Sequence, residues 1–414
     1  MAGPIIAAIF GILLAAGILW EAFETIVLPR RATRRFRLTR LFYRSTWRPW
    51  RAVARRMRRT KGRETFLSIY GPLSLLFLFV FWGAGMIVAF GLLYYSSARH
   101  GGSAPNATPY DFVEGLYFSG TTFFTLGLGD VSPHGWPQRL LAVLESGLGF
   151  GFFALVFSYL PVIYQAFSRR EVNIVLLDSR AGSPPTAFEL IRRHPGMHGW
   201  SELQQLLRDW ERSAADILES HVSYPVVAYF RSQHNNESWV AALTAILDAT
   251  ALLIAGLSGF HQEPTGQATA ASPSARGGGA VAGPEVKGAK QACARQARLT
   301  FAMCRHAVVD LAQVFNAAPH SRTDRLPHEE FERLRAALAG EGLILRDTLE
   351  TREKLNKLRA MYEPYLEGLG LFLLMDVPPW ILAGEAIENW RTSAWGRISG
   401  FAARESVPAG DDHD

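Results

Sequence analysis

Residues Thr125-Leu126-Gly127-Leu128-Gly129-Asp130 form a strip in which glycine alternates with leucine, opened by a hydroxyl and closed by a carboxylate. In a soluble chain a glycine-rich turn of this kind points to a ligand loop. The flanking sequence changes its meaning. Phe66 to Tyr95 carries no charged residue, and Trp136 to Phe167 is interrupted only by Arg139 and Glu145. A membrane-crossing helix needs roughly 20 apolar residues, and each run supplies them. Irregular backbone at membrane depth is tolerated only where it lines a cavity or is buried in protein. The strip is therefore a candidate ion path.

The elements that must position the strip follow from the surrounding pattern. Tyr110 to Phe124 reads as a short amphipathic helix that delivers the chain into Thr125, and Asp111 and Glu114 favour its N-terminus. Upstream, Ile5 to Trp20 is apolar and resumes at Ile26-Val27-Leu28. It lacks the basic leader and small-residue cleavage pattern of a signal peptide and reads as an uncleaved first span, with Glu21 and Glu24 near the headgroups. Between Arg30 and Arg63 lie fourteen arginines and Lys61, without one acidic residue. Such a run can bind nucleic acid, but its place between two spans makes membrane orientation the simpler account and leaves no nucleic-acid partner to expect. It belongs on the cytoplasmic side against anionic lipid, with Phe42, Tyr43, Trp47 and Trp50 at the interface. The N-terminus is then outside, the strip lies on the outer side, and the last span returns the chain to Arg169-Arg170 in the cytoplasm. The expected location is the plasma membrane, the inner membrane in a bacterium.

Average composition, 49% hydrophobic with a net charge of +6 over 414 residues, would suit a soluble protein; the distribution of those residues does not. The expected organisation is a first span over 1–29, a basic segment over 30–64, a pore domain over 65–170, helical cytoplasmic regions over 171–261 and 291–395, a Gly/Ala/Ser/Pro-rich flexible linker over 262–290, and a disordered tail over 396–414. Helical periodicity runs through Glu202–Leu218, Phe331–Leu349 and Lys354–Leu366. Val240–Leu257 contains Asp248, and Leu369–Ala383 contains Asp376, Pro378 and Pro379; both read as buried helices rather than membrane elements. Cys293 and Cys304 fit neither a disulfide scaffold nor a zinc cluster and suit a reducing compartment. No phosphate-binding glycine fingerprint occurs. Gly147-Leu148-Gly149-Phe150-Gly151 lies inside an apolar helix rather than after a strand. No cofactor and no enzymatic constellation is expected.

Leu116 to Asp130, read as Leu-Tyr-Phe-Ser-Gly-Thr-Thr-Phe-Phe-Thr-Leu-Gly-Leu-Gly-Asp, resembles the pore helix and selectivity filter of the potassium channel superfamily, of the two-span pore-domain type. The family pattern is Thr-Val-Gly-Tyr-Gly-Asp, so Thr125, Gly127, Gly129 and Asp130 match. With its flanking spans the resemblance covers about a quarter of the chain. It implies an all-α membrane protein, a homotetramer with a re-entrant pore helix, joined here to a helix-rich cytoplasmic domain. It further implies that K+ passes along the backbone carbonyls of Thr125, Leu126, Gly127 and Leu128, which replace its hydration shell. Gly127 and Gly129 permit the backbone states this needs. Gly129, Asp130, Tyr117 and Phe118 would support the filter. Leu128 departs from the family's tyrosine: its carbonyl is retained, but the ring and hydroxyl that brace the filter are lost. Potassium-preferring conduction is the leading expectation, with a weakly selective monovalent-cation pore and a non-conducting membrane sensor or assembly protein as alternatives.

In the span after the strip, Gly149 is a candidate gating hinge or a close-packing residue, and Phe150, Phe153 and Phe157 recur at helical spacing as a candidate constriction. Glu145 is costly in hydrocarbon and is expected behind the filter or at a subunit contact. Neither a voltage-sensing arginine ladder nor a calcium loop is present. The arginine-rich segment supplies the one sensor candidate legible in the sequence. Reconstituted protein is expected to show different channel activity in anionic and in neutral bilayers of matched thickness; equal activity in both would remove the lipid contact.

Overall fold

With no charged residue over its thirty positions, the Phe66–Tyr95 run can satisfy its backbone in an apolar medium only by bonding within itself. It folds as one helix. In the computed structural model, residues 2–28, 38–59, 61–100, 111–194, 196–233, 237–257, 284–321 and 324–384 are described. Among them helix dominates and no strand occurs beyond an isolated bridge between Leu257 and Leu345. Three helices are long and apolar enough to cross a membrane: Gly3–Val27, Lys61–Ala98 and Trp136–Ala181. The chain divides into two compact units. Unit 1 comprises residues 1–167 and 223–231, and unit 2 comprises 168–222 and 232–414.

Unit 1 begins with α1 (Ala2–Ala22), which continues through one π-helical stretch, Phe23–Val27. Helix α2 (Leu38–Arg56) follows, then α3 (Lys61–His100), which extends beyond the expected Phe66–Tyr95 span at both ends. Small residues bring α1 and α3 together: a Cβ on Gly11 would lie 2.7 Å from the Ala89 carbonyl oxygen, and one on Gly85 would lie 2.5 Å from Ile18 Cδ1. Glu21 is buried, and its Oε1 accepts the Thr39 N–H at 2.9 Å. It thereby satisfies an orphan donor in the first turn of α2 and sets a negative charge at that helix's positive end. On α2, Tyr43, Trp47 and Ala54 are buried while the arginines Arg40, Arg44, Arg48, Arg55 and Arg56 are exposed.

Two further helices complete unit 1's architecture. Helix α4 (Phe112–Phe123) sits between the long spans in sequence, and α5 (Trp136–Ala181) continues fourteen residues past the expected end at Phe167. At 1.5 Å per residue, 46 residues reach about 69 Å, more than twice a hydrocarbon core of roughly 30 Å. The last turns of α5, from Ser168, are counted in unit 2.

Unit 2 contains α6 (Ala187–Arg192), α7 (Gly196–Ser223), α8 (Trp239–Ala255), α9 (Pro284–Val314), α10 (His328–Gly340), α11 (Leu349–Ala360) and α12 (Glu363–Leu373). Helix α8 is the core: every residue but Ile254 is buried, and α6, α9, α11 and α12 pack around it. It is a buried helix, as its Asp248-interrupted sequence indicates. Several sequence boundaries need correction. Helix α9 starts at Pro284, inside the expected 262–290 linker, whose remaining residues lie outside the described ones, as does the tail over 396–414. The Phe331–Leu349 periodicity is broken where α10 ends and Gly342 takes φ +75°. Lys354–Leu366 is broken at Met361–Tyr362, with Pro364 opening α12. Leu369–Ala383 is helical only to Leu373, because Leu374 caps α12 with φ 56° and Pro378-Pro379 cannot continue it.

Ionised groups inside unit 2 are held in pairs. Asp248, fully buried on α8, is gripped by Arg325 (2.6 Å and 3.2 Å) and accepts the Tyr362 hydroxyl at 2.6 Å. Arg325 also donates to Glu363 at 3.0 Å and to the Pro378 carbonyl at 2.6 Å. Burial, followed by the Asp248 charge, pushes the Tyr362 phenol well above its ordinary range. His221 is buried, donates from Nδ1 to the Ile217 carbonyl at 2.7 Å and receives Arg170 Nη1 at Nε2, 3.2 Å away. Burial and the arginine hold it well below the usual histidine range, so it stays neutral. Arg170, expected only to mark the cytoplasmic end of a span, is thus a buried structural group. Cys293 and Cys304 are free buried thiols, and burial raises Cys293 to about 12.

Removing one member of a buried ion pair costs about 3–5 kcal/mol. Asp248→Asn is therefore expected to lower the stability of the full chain by that order in chemical unfolding, whereas Glu330→Ala, at the exposed Glu330–Arg333 pair, should leave the transition in place.

Candidate ion-conduction site

Helix α4 starts where the sequence can cap it on both sides. Asp111 Oδ1 accepts the Glu114 N–H at 2.7 Å, and Glu114 Oε2 accepts the Asp111 N–H at 3.3 Å, a reciprocal capping box. The helix then lies close against α3: a Cβ on Gly115 would meet the Gly91 carbonyl oxygen at 3.0 Å, and Tyr94 meets Phe118 edge-on at 4.9 Å. Phe118 is buried there.

The end of α4 decides the conformation of the strip. Leu126 N–H bonds to the Thr121 carbonyl at 2.7 Å and Thr125 N–H to the Thr122 carbonyl at 3.0 Å, the paired bonds of a Schellman motif. That motif requires a left-handed residue at the position Thr125 occupies, and Thr125 has φ 56°. Glycine usually fills it; a Cβ-bearing residue there costs about 1–2 kcal/mol. Gly127 (φ 57°) and Gly129 (φ 80°) are left-handed as well, while Leu126 and Leu128 are not. Residues of opposite hand therefore alternate from 125 to 129. An extended strand turns successive carbonyls to opposite sides; alternation of hand removes that reversal and lets them share a side. The sequence marked the two glycines for this role, but not Thr125.

Two side-chain links fix the strip to its surroundings. Tyr117, on α4, donates its hydroxyl to Asp130 Oδ2 at 2.8 Å and so ties the helix to the far end of the strip. Position 128 carries no hydroxyl, whereas Tyr117 brings one to the strip's end from α4. Glu145 of α5 is fully buried within its own chain. Its Oε2 accepts the Tyr94 hydroxyl at 2.8 Å and its Oε1 contacts the Ser119 hydroxyl at 2.5 Å. One carboxyl group thus joins α3, α4 and α5, and Ser119 also reaches the Ile87 carbonyl of α3 at 2.9 Å. Leu126 and Leu128 are 61% and 63% exposed, unpacked within the chain.

Helix α5 cups the last turn of α4. A Cβ on Gly149 would lie 2.2 Å from the Phe123 carbonyl oxygen, so this glycine permits a backbone approach that no other residue allows. Phe123 is buried against Phe152 at 5.7 Å, and Phe153 meets Phe124 at 6.0 Å. The candidate constriction is therefore divided: Phe153 belongs to this aromatic cluster, whereas Phe150 and Phe157 are exposed on the chain.

Residues 66–165 match the family model described as "Ion channel". The chain therefore carries an ion-channel domain, and the match begins in α3, includes α4 and the strip, and ends in α5. Over 198 residues the chain is 23% identical to the uncharacterized membrane protein YdjJ of Bacillus subtilis (strain 168), a stretch that covers 47% of this chain and 57% of the relative. The chain thus spans little more than half of that relative's length. No solved structure matches. With its apolar helices, the chain is a multi-pass membrane protein.

Gly149 distinguishes packing from hinge. Gly149→Ala must displace the Phe123 backbone and is expected to reduce sharply the yield of folded protein on size exclusion in detergent. Gly147→Ala, which meets nothing within 4 Å, should behave as wild type. A well-folded Gly149→Ala protein with altered opening would instead identify a hinge.

Proposed function

We propose that the chain forms a homotetrameric, potassium-preferring channel in the plasma membrane, with α4 as a re-entrant pore helix and the carbonyls of Thr125, Leu126, Gly127 and Leu128 as the ion path. The observation that carries this is the alternation of backbone hand at Thr125, Gly127 and Gly129, immediately after a capped helix. An ion leaving water needs oxygens spaced along its route, and a strip of same-side carbonyls supplies them. One strip cannot surround an ion, so the mechanism itself asks for further copies. Four such helices, each with its carbonyl end toward a common cavity, favour a cation there. No cofactor takes part; K+ is the permeant ion.

Thr125 adds its hydroxyl at the inner mouth, which gives a reason for tolerating a β-branched residue in a left-handed position. Asp130 at the outer mouth attracts cations while Tyr117 holds it. The preference for K+ rests on that brace, because a filter held at fixed spacing discriminates better than one free to contract around a smaller ion. The arginines on the exposed face of α2 lie against anionic lipid on the cytoplasmic side. The N-terminus is then outside and the C-terminus inside, in the inner membrane of a bacterium. Phe150 and Phe157 remain open to serve the gate.

Purified protein recorded with potassium on one side and sodium on the other tests the reading. Wild type is expected to reverse near the potassium equilibrium potential. Tyr117→Phe, which deletes a single hydroxyl, should shift that reversal toward zero with the channel still assembled. A wild-type value near zero would mean a weakly selective monovalent-cation pore. No wild-type current across varied voltage, calcium, pH and lipid would mean a non-conducting membrane sensor or assembly protein.

A further inference from the structure

A segment of the chain beyond the last span returns to unit 1. Residues 223–231 are counted there, although the residues on both sides of them, 168–222 and 232 onward, belong to unit 2. Their centre is a short 3-10 helix, Pro225–Tyr229, in which Val226, Val227, Ala228 and Tyr229 are buried. An apolar turn of this length has no core of its own and must pack on other elements.

Unit 1 offers an aromatic socket. The Tyr229 ring stacks on Tyr43 of α2 at 5.9 Å and lies 5.0 Å from Trp47 and 5.2 Å from Tyr70 of α3. Phe230 sits where α3 has no side chain: a Cβ on Gly71 would be 2.7 Å from Phe230 Cδ2. The same Phe230 meets Phe167 of α5 at 5.5 Å, and Tyr224 meets Tyr159 of α5 at 5.7 Å. Arg231 closes the segment with Glu64 at 3.5 Å. Nine residues thus hold α2, α3 and α5 together.

The places they hold are the soft ones. Gly71 precedes Pro72 inside α3, and Tyr159 and Phe167 bracket Pro161 inside α5. A proline within a helix removes one backbone hydrogen bond and crowds the preceding turn, so each helix bends there at least cost. Phe157, open for the gate, lies one turn before Pro161. A group seated against both points fixes the angle at which α5 leaves them.

We propose that residues 223–231 are the mechanical link through which unit 2 sets the opening of the pore. This rests on the conducting reading above. Both ends of the segment continue covalently into unit 2, so a conformational change there pulls on Tyr229 and Phe230, and the ring positions set the bend of α5 at Pro161.

The test pushes on the socket from the opposite wall. Gly71→Ala introduces a methyl into the space of the Phe230 ring, and the crowding of that methyl against Pro72 is the same whether or not the ring is present. It is expected to shift the open–closed equilibrium by about 5–150-fold, the ordinary size of an allosteric coupling. Unitary conductance and reversal potential should stay at wild-type values. In a Phe230→Ala background the same Gly71→Ala change should have a much smaller effect, since no ring remains to be displaced. Hydrogen exchange of residues 157–167 should be faster in Phe230→Ala than in wild type. An equal Gly71→Ala shift in both backgrounds, or no shift with unchanged exchange, would overturn the link. If wild type carries no current, the conducting reading fails, and the link is then decided by the exchange of 157–167 alone.

Discussion

Between Phe124 and Trp136 the chain leaves helical geometry although the helices on either side present surfaces suited to hydrocarbon. Hydrocarbon cannot pair the backbone groups freed by such an excursion, so in the proposed membrane setting they turn to the protein or to a cavity. The rest of unit 1 follows from that constraint. The Schellman bonds to Thr121 and Thr122 take up the N–H groups of Leu126 and Thr125. The Tyr117–Asp130 bond anchors the far end. Glu145 fixes the depth of α4 against α3 and α5 through two hydroxyls. Gly149 lets α5 approach the end of α4 closely enough for Phe123, Phe152 and Phe153 to seal it.

The best-buried carboxyl groups of the two units are held by different means. In unit 2, Asp248 is neutralised by Arg325 within a network that includes Glu363, Arg359 and the face of Trp380. Such a pair fixes register strongly, because either member alone would be an uncompensated buried charge. In unit 1, Glu145 meets the hydroxyls of Tyr94 and Ser119, and Glu21 accepts a backbone N–H. These are orienting contacts between helices that small residues already bring together. A carboxyl group used this way ties three helices together through hydroxyls.

What was legible in the sequence is what periodicity and local chemistry encode. The two long apolar runs, the capped helix before the strip and the special backbone at Gly127 and Gly129 were all visible, because each is written in contiguous residues. Asp111 and Glu114 even stand at capping-box spacing. Contacts across long separations were not visible: Tyr94 with Glu145, Tyr117 with Asp130, Glu21 with Thr39, and Tyr43 and Tyr70 with Tyr229. Nothing in a tyrosine's neighbours states which distant group its hydroxyl will meet. Thr125 was hidden for another reason. Its left-handed φ is imposed by the Schellman closure, which overrides a β-branched residue's own preference. Helix ends in unit 2 were misplaced where one amphipathic stripe runs through a turn, as at Gly342 and Tyr362, since apolar spacing persists when two helices bury the same side.

The leucine at position 128 now has a physical setting. In the resembling family a tyrosine there braces the filter radially, through its own ring. Here Leu128 is exposed on the chain, and a hydroxyl is tied to the strip's end from Tyr117, thirteen residues upstream of Asp130 and rooted in α4. A brace rooted in α4 inherits that helix's rigidity, and α4 is held by Gly91–Gly115 packing, Tyr94–Phe118 contact and the Glu145 bracket. The spacing of the proposed ion path is then set from behind the strip by helix placement, and less by a collar around it. Any shift of α5 relative to α4 would reach that path through Glu145 and Ser119 before it reached Leu128. Opening and selectivity would therefore share one set of helix contacts.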